Sequence, residues 1–268
     1  MTRKIIRWAV PVAVLLFLYI PILVLAFYSL TDATQIGSFR SFTLKNYATL
    51  IQTEELRNMI FGTLLLALGS ALIATVLGSL GAIGAFYSKK RTASAMDTVN
   101  QIPVINADVV TGFSLCVLLV VVFGIAKDTY IPLVLGHVTL SAPFVYLSVI
   151  PKLKQMDSSL YEAALDLGAT PARALRKVII PQILSGMISG FSLAVTLSLD
   201  DYFIATYTKP ATFDTISTYV VNATKGSQTQ IKTALWALST VIFLAVIVIV
   251  LVMNISSRQK EKKGERAA

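Results

Sequence analysis

The stretch 156–181, MDSSLYEAALDLGATPARALRKVIIP, is a polar segment between two runs of residues that are too apolar for a soluble protein. Ser159 precedes Glu162 by three residues, which is the spacing of a capping box at a helix start. Gly168 is placed to end that helix, because glycine readily adopts the left-handed conformation found after helix C-termini. A short helix between Ser159 and Gly168 is therefore expected.

A second helix is expected directly after this turn. Thr170 followed by Pro171 places a cap residue before a proline at the first helical position. Pro181 is expected to close this helix before the next apolar run begins. The sequence thus predicts a helix-turn-helix outside the membrane, within a polar insert at about residues 152–182.

The composition places the chain among integral membrane proteins. Of its 268 residues, 55% are hydrophobic and 14% are charged, and the mean hydropathy is +0.73. A bilayer core about 30 Å thick requires about 20 helical residues. Runs of about that length occur at 8–30, 59–87, 98–125, 131–150, 183–207 and 233–255. The predicted fold is an all-α bundle of about six transmembrane helices in one domain covering residues 1–268.

Two features of the apolar runs, the length of the first run and the single cysteine in the third, exclude other structures. The first run is longer than the apolar core of a signal peptide, which has about 7 to 15 residues, so we expect it to remain as the first helix. Cys116 is the single cysteine and cannot form an internal disulfide, so a packing role is expected.

The basic residues predict the orientation of the chain. They are concentrated in the segments 1–7, 88–97, 152–177 and 258–266. Because Lys and Arg are enriched in cytoplasmic loops, both termini and the polar insert are expected in the cytoplasm. The net charge of +9 is therefore a topological signal. Aromatic residues do not alternate with these charges as in a nucleic-acid groove, so no nucleic-acid partner is expected.

Three acidic residues are candidate site residues because they lie in otherwise apolar runs. Asp108 is about ten residues from one end of the third run, hence ~15 Å deep in a straight helix. Asp200 and Asp201 adjoin each other in the outer part of the fifth run. A carboxylate in a membrane is costly unless it faces water or a partner, which favours a functional role. The alternative for Asp108 is a protonated or helix-bonded structural residue.

The fifth run also carries a stripe of polar residues. Their spacing of four, three, four and four residues places them on one helical face: Ser185, Ser189, Ser192, Thr196 and Asp200. One side of this helix is therefore expected to be wet or to contact polar partners. Serine and threonine also hold membrane helices together, but two adjacent aspartates are harder to explain in that way.

The sequence contains no recognisable catalytic or metal-binding set. His137 is the only histidine and has no second ligand at metal spacing, so a hydrogen bond between helices is expected instead. A G-x-x-x-x-G-K-[ST] phosphate loop and a Ser-His-Asp set on a soluble scaffold are both lacking. We therefore expect a protein that is not an enzyme and that carries no metal and no cofactor of its own.

The polar insert also carries a family motif. Glu162, Ala163 and Ala164, then Gly168 after three residues, then 178–181 (VIIP), resemble the EAA loop of ABC-importer permeases. The family pattern ends with isoleucine, any residue, leucine and proline, and the valine and isoleucine found here are conservative departures. The resemblance implies that the insert, through Glu162, Ala163, Ala164, Gly168 and Pro181, docks into a cleft of a separate ATP-hydrolysing subunit.

Further positions resemble the second permease subunit of spermidine/putrescine ABC importers. They are 108–110 (DVV), 137–139 (HVT), 143–145 (PFV) and 196–201 (TLSLDD). The resemblance implies an inner-membrane permease that works by alternating access. It further implies a homologous permease subunit, a dimer of ATP-binding subunits that holds ATP and Mg, and a periplasmic polyamine-binding protein.

The physical chemistry of the candidate site agrees with a polyamine substrate. Spaced carboxylates in a path of low dielectric constant can replace the hydration that ammonium groups lose. Tyr202 and Tyr207 can add cation–π contacts worth about 0.5 to 2 kcal/mol each. The expected substrate path therefore comprises Asp108, Asp200, Asp201, Thr196, Tyr202 and Tyr207.

Two alternatives remain open at this point. One is an ABC permease for another solute such as a sugar, which also binds carboxylate acceptors. The other is a cation-coupled secondary transporter, in which the same acids would form a proton relay. The polar insert favours an ABC permease, because a secondary transporter has no ATPase to dock.

Overall fold

The structure is a computed structural model that describes residues 2–35, 37–39, 41–157, 159–225, 233–244 and 247. These residues are mostly helical, which confirms the all-α prediction. The helices are α1 (Thr2–Ser29), α2 (Lys45–Gln52), α3 (Glu54–Tyr87), α4 (Lys90–Ile105), α5 (Asp108–Cys116), α6 (Ile131–Gln155), α7 (Ser159–Asp166), α8 (Pro171–Ala174), α9 (Ile180–Asp200), α10 (Phe203–Thr208), α11 (Ile216–Lys225) and α12 (Thr233–Leu244).

Four helical stretches in the described part of the chain are long and apolar enough to cross a membrane. They are Ala9–Ser29, Glu54–Tyr87, Ile131–Gln155 and Pro171–Asp200. The bent pair α4 and α5 adds a fifth if it counts as one span. The sixth predicted run is helical over α12, and its remainder lies outside the described residues except for 247, as does the basic tail at 258–266.

The third predicted run, 98–125, is not one straight span. Helices α4 and α5 are bent by 104° at a short break. Asn106 and Ala107 in this break have extended ψ angles of 145° and 135°, which a continuing helix does not allow. The Asn106 amide donates to the Thr111 hydroxyl at 3.0 Å. The straight helix on which the predicted depth of Asp108 was based is therefore wrong.

Pro181 does not end a helix, contrary to the prediction. Residues 171–200 form one helical stretch in which Leu175–Ile179 is a π-helical turn between α8 and α9. In this turn the Ile180 N–H bonds to the Leu175 carbonyl, five residues back. Pro181 then lies in the first turn of α9, a position that tolerates proline, so the helical stretch continues through it.

The chain forms two compact units. In the unit of residues 1–57 and 220–268, α2 is tied to the end of α1. The buried Asn46 amide donates to the carbonyls of Ser29 and Thr31 at 2.9 and 3.0 Å. The rings of Tyr28 and Trp236 lie 6.0 Å apart and join α1 to α12.

In the unit of residues 58–219, α6 packs against α3 and α9. Small residues of α3 line one buried face and are at most 2% exposed: Ala67, Ala71, Ala74, Ala82 and Ala85. The opposite face of α3 exposes large aliphatic side chains such as Leu65 and Leu72. Helix α3 is therefore buried on one face only.

Helices α6 and α9 approach each other closely at Gly186. A Cβ atom at Gly186 would lie 2.8 Å from the Ser148 carbonyl oxygen and 3.3 Å from the Val149 Cα. The buried face of α9 is accordingly made of small and branched residues: Ile183, Gly186, Gly190, Ala194 and Ser198. This crossing places the C-terminal end of α9 beside α6.

Candidate functional site

The three acidic candidates line one cavity of about 400 Å³, here called the acid cavity. Asp108 is the first residue of α5, Asp200 is the last residue of α9, and Asp201 and Tyr202 follow directly. The other lining residues are mostly apolar and include Pro103, Val104, Leu140, Phe144, Leu197 and Phe203. Residues from the third and fifth predicted runs are therefore brought together, with residues of α6 between them.

The three carboxylates of the acid cavity have different surroundings. Asp108 and Asp200 are exposed, whereas Asp201 is only 8% exposed. The Asp201 carboxylate accepts the backbone N–H groups of Ile204 at 3.1 Å and of Ala205 at 2.7 Å. These bonds start α10, so the fifth predicted run, 183–207, is broken here. Asp201 thus has a structural role that Asp108 and Asp200 do not share.

His137 forms the hydrogen bond between helices that the sequence predicts. Its Nδ1 atom on α6 lies 2.7 Å from the Ser198 hydroxyl on α9, and both residues are buried. The Ser198 hydroxyl lies 3.3 Å from that of Ser70 on α3. The other ring nitrogen, Nε2, lies 3.6 Å from the Asp201 carboxylate. A buried polar chain therefore joins three helices and ends at the acid cavity.

The polar stripe of α9 lies on an exposed face. All five of its residues are exposed: Ser185, Ser189, Ser192, Thr196 and Asp200. The Thr196 hydroxyl donates to the Ser192 carbonyl at 3.0 Å, and Thr196 lies one turn before Asp200 rather than in the lining of the acid cavity. The stripe thus leads along the helix to the cavity.

The two candidate tyrosines lie in different places. Tyr202 is half-buried in the lining of the acid cavity. Tyr207 is at the far end of α10, where its ring packs edge-on against Phe113 at a centroid distance of 5.8 Å and is not part of the lining. Of the two rings, Tyr202 is therefore the one beside the carboxylates.

In the polar insert, α7 begins one residue earlier than a capping box would require. Ser159 is the first helical residue, and its backbone N–H donates to the Asp157 carboxylate at 3.0 Å. Hydrogen bonds from the Ser159 hydroxyl and backbone hold the pKa of Asp157 below its ordinary value. The expected pairing of Ser159 with Glu162 is therefore replaced by an aspartate cap, and Glu162 is an exposed residue of the first turn.

The turn of the polar insert is as predicted. Gly168 has φ +83°, its N–H bonds to the Leu165 carbonyl at 2.8 Å, and the Ala169 N–H bonds to the Ala164 carbonyl at 3.0 Å. These two bonds are a Schellman motif. The Thr170 hydroxyl then accepts the Arg173 N–H at 3.4 Å and caps α8, also as predicted.

The outer surface of this turn is open. Leu167 is 90% exposed, an unusual position for a large apolar side chain. Next to it lies a groove of about 270 Å³, whose lining includes the basic residues Arg173 and Lys177. Ala163 and Pro181 are exposed, and Ala164 is half-buried.

Sequence reasoning missed the contacts that dock α4 on α6. The Tyr146 hydroxyl donates to the Asp97 carboxylate, and the Asn100 amide donates to the Pro143 carbonyl at 3.2 Å. Asp97 and Asn100 are three residues apart and share one helical face, which is a signal that the sequence offered. Their partners on α6, Tyr146 and Pro143, show no comparable pattern in the sequence.

Comparison with known proteins identifies the family. Residues 74–263 match the family described as "Binding-protein-dependent transport system inner membrane component". The chain belongs to this family. It is therefore a multi-pass inner-membrane permease component of an ABC importer, which works with a separate ATPase and a binding protein and is not itself catalytic. The alternative of a cation-coupled secondary transporter is thereby rejected.

Similar proteins include permeases that are named as polyamine transporters. The chain is 30% identical to the spermidine/putrescine transport system permease protein PotC of Haemophilus influenzae, over 93% of this chain and 96% of that protein. It is 28% identical to PotC of Escherichia coli strain K12, over 98% and 97%. It is 31% identical to the putrescine permease PotI of the same strain, over 71% and 70%. The resemblance to spermidine/putrescine permeases is thus confirmed.

A solved structure shares the fold. It is a bacterial ABC transporter involved in the import of the acidic polysaccharide alginate, with a TM-score of 0.70 and 22% identity. The match covers 96% of this chain and 98% of that chain. At this identity the likeness concerns the fold alone, which is that of an ABC-transporter permease.

Proposed function

We propose that this permease imports polyamines such as spermidine and putrescine, and that the acid cavity reads their charge. The single observation that carries the proposal is the pair of exposed carboxylates, Asp108 and Asp200, in one cavity whose described lining contains no Lys or Arg. A desolvated ammonium group needs anionic or polar partners to replace its hydration. The names of the similar permeases point to the same substrate class.

The two exposed carboxylates suit a ligand with more than one positive charge. Asp108 and Asp200 stand on different helices, and neither has a basic side chain among the cavity residues. The cavity volume of about 400 Å³ lies within the range for small-molecule sites, about 300 to 1,000 Å³. Tyr202 adds an aromatic ring for cation–π contact. An anionic substrate is disfavoured, and a neutral sugar would leave the charges uncompensated.

Partners complete the proposed path. The polar stripe of α9 is exposed in the single chain, so a homologous permease subunit is proposed to close the path from the other side. A periplasmic polyamine-binding protein delivers the substrate, and a dimer of ATP-binding subunits drives alternating access. The polar insert is proposed to dock into the ATPase through Leu167 and the exposed residues of its turn. The proposal thus comprises the polyamine substrate, these particular subunits, and a single permease domain over residues 1–268.

Charge removal in the cavity tests the substrate. We expect Asp108→Asn and Asp200→Asn to assemble with the ATPase and to bind the loaded binding protein normally, yet to take up polyamines about tenfold more slowly or worse. A hydrogen bond to a charged group is worth about 1.5 to 3 kcal/mol, whereas bonds between membrane helices average about 0.6 kcal/mol. Longer polyamines should be affected most, because they carry more charges. The measurement is radiolabelled uptake into proteoliposomes that contain the assembled transporter.

The matched control is Asp128→Asn, which removes one exposed carboxylate outside the cavity lining. It should leave uptake unchanged. Wild-type uptake by both cavity variants would indicate that Asp108 and Asp200 have a structural role. It would contradict the proposal that the acid cavity reads the charge of the substrate.

The orientation of the chain is also a proposal, with both termini and the polar insert in the cytoplasm. Because α3 separates Lys45 from Arg91, reporters fused at these two positions should lie on opposite sides of the membrane. Alkaline phosphatase fused after Lys45 should be active, and green fluorescent protein fused after Arg91 should fluoresce. The reverse result would invert the topology.

A further inference from the structure

His137 has a feature that the substrate path does not explain. The residue is fully buried, and its Nε2 atom has no hydrogen-bond partner. The Asp201 carboxylate oxygen Oδ2 lies 3.6 Å from it. Buried polar atoms are normally paired, so this position calls for a reason. His137 itself is not among the residues that line the acid cavity.

The Asp201 carboxylate indicates which ring nitrogen carries the proton. With the proton on Nε2, Nδ1 accepts the Ser198 hydroxyl at 2.7 Å. The N–H group then points at the carboxylate of Asp201. The other tautomer would set a nitrogen lone pair against that carboxylate. His137 protonated on Nε2 therefore supplies a donor that faces Asp201.

Asp201 holds the break between α9 and α10. Its own backbone is extended, with ψ 124°, so the helix cannot continue through it. Its two oxygens each accept one backbone N–H of the first turn of α10, from Ile204 and Ala205, and both of these residues are buried. An uncharged Asn would offer one oxygen and would turn its NH₂ group toward the other donor.

Two glycines allow α10 to lie close to α5 and α6, beside His137 and Asp201. A Cβ atom at Gly112 of α5 would lie 3.0 Å from the Ile204 Cα, and one at Gly136 of α6 would lie 2.6 Å from the Ile204 Cγ2. Gly136 is adjacent to His137, so the same turn of α6 contacts the start of α10 and the cap that begins it. A change in the contact between His137 and Asp201 is therefore expected to alter the break between α9 and α10 directly.

We propose that His137 and Asp201 are positioning residues for the acid cavity. The imidazole orients the Asp201 carboxylate, the carboxylate sets the break between α9 and α10, and the break determines where Asp200 and Tyr202 stand. Asp201 then acts through the fold rather than as a ligand of the substrate. This inference rests on the proposed function only where it identifies the acid cavity as the substrate path.

The first test does not use a substrate. A cysteine is placed at Thr206, on the exposed face of α10, or at Ser189, on the exposed face of α9, in a Cys116→Ala background. The rate of maleimide labelling is measured in membranes that contain the assembled transporter. We expect His137→Phe to change the rate several-fold at position 206 and to leave it unchanged at position 189.

The control for this test is Ser141→Ala, one turn away on α6, which removes a buried hydroxyl that also lacks a partner. It should change neither labelling rate. If His137→Phe does not accumulate in the membrane, His137→Leu is used, because it also removes the N–H donor. Unchanged labelling at position 206 in the His137 variant that accumulates would overturn the proposal, whether or not polyamines are the substrate.

The second test is a double-mutant cycle in uptake. If His137 acts through Asp201, the double variant His137→Phe/Asp201→Asn should transport no worse than Asp201→Asn alone, because residues that act as one unit are not additive. His137→Phe combined with Asp108→Asn should show the product of the two single losses. If the uptake of His137→Phe/Asp201→Asn also fell by the product of the two single losses, the proposal would be overturned. Failure of the polyamine assignment would appear separately, as wild-type uptake by the Asp108 and Asp200 variants.

Discussion

Gly168→Val is expected to abolish uptake while the permease still inserts into the membrane. Gly168 has φ +83°, and a Cβ atom at this position would meet nothing within 4 Å. The penalty is therefore in the backbone alone, about 1 to 2 kcal/mol for an L-residue in the left-handed region, and a β-branched side chain adds to it. The two bonds of the Schellman motif are expected to break, and α7 and α8 would no longer be held in one arrangement.

Three quantities test this expectation: uptake, the amount of permease in the membrane, and co-purification of the ATP-binding subunit. We expect uptake and co-purification to fall together, with the amount of permease unchanged. Gly168→Asn is the matched control, because asparagine tolerates the left-handed region best among other residues. It should retain much more uptake than the valine variant. Normal uptake by Gly168→Val would show that coupling to the ATPase does not depend on the turn of the polar insert.

Gly186→Leu is expected to prevent the permease from reaching a stable folded state. The Cβ atom alone would lie 2.8 Å from the Ser148 carbonyl oxygen, and this backbone atom cannot turn aside as a side chain can. Helices α6 and α9 would have to separate, at a cost of about 1 to 3 kcal/mol or more. Their separation would also break the contact between His137 and Ser198. The expected result is little monodisperse protein after extraction in detergent.

A matched pair of alanine variants isolates the steric effect. Gly69→Ala places a methyl group where nothing lies within 4 Å, whereas Gly186→Ala places one against α6. We expect a lower melting temperature for Gly186→Ala than for Gly69→Ala, measured by fluorescence-detected size-exclusion chromatography after heating. Equal melting temperatures would contradict the close approach of α6 and α9.

The sequence by itself determined the features that depend on neighbours along the chain. Helix length and apolarity identified the spans of α1, α3 and α6, because a bilayer requires about 20 helical residues whatever their partners are. Gly168 and Thr170 marked the turn of the polar insert, because helix caps use hydrogen bonds within a few residues. The stripe from Ser185 to Asp200 was visible because helical periodicity is local.

Only the tertiary structure decided where the helices break and which polar residues meet. The run 98–125 was read as straight because its apolar content is continuous, but Asn106 and Ala107 are extended in the folded chain. Asp201 was expected beside Asp108 and Asp200 in the substrate path, and in the folded chain its carboxylate also accepts the N–H groups of Ile204 and Ala205 and lies 3.6 Å from the His137 ring nitrogen Nε2. His137 and Asp201 are far apart along the chain, and no local pattern records a contact that forms only when α6 packs against α9.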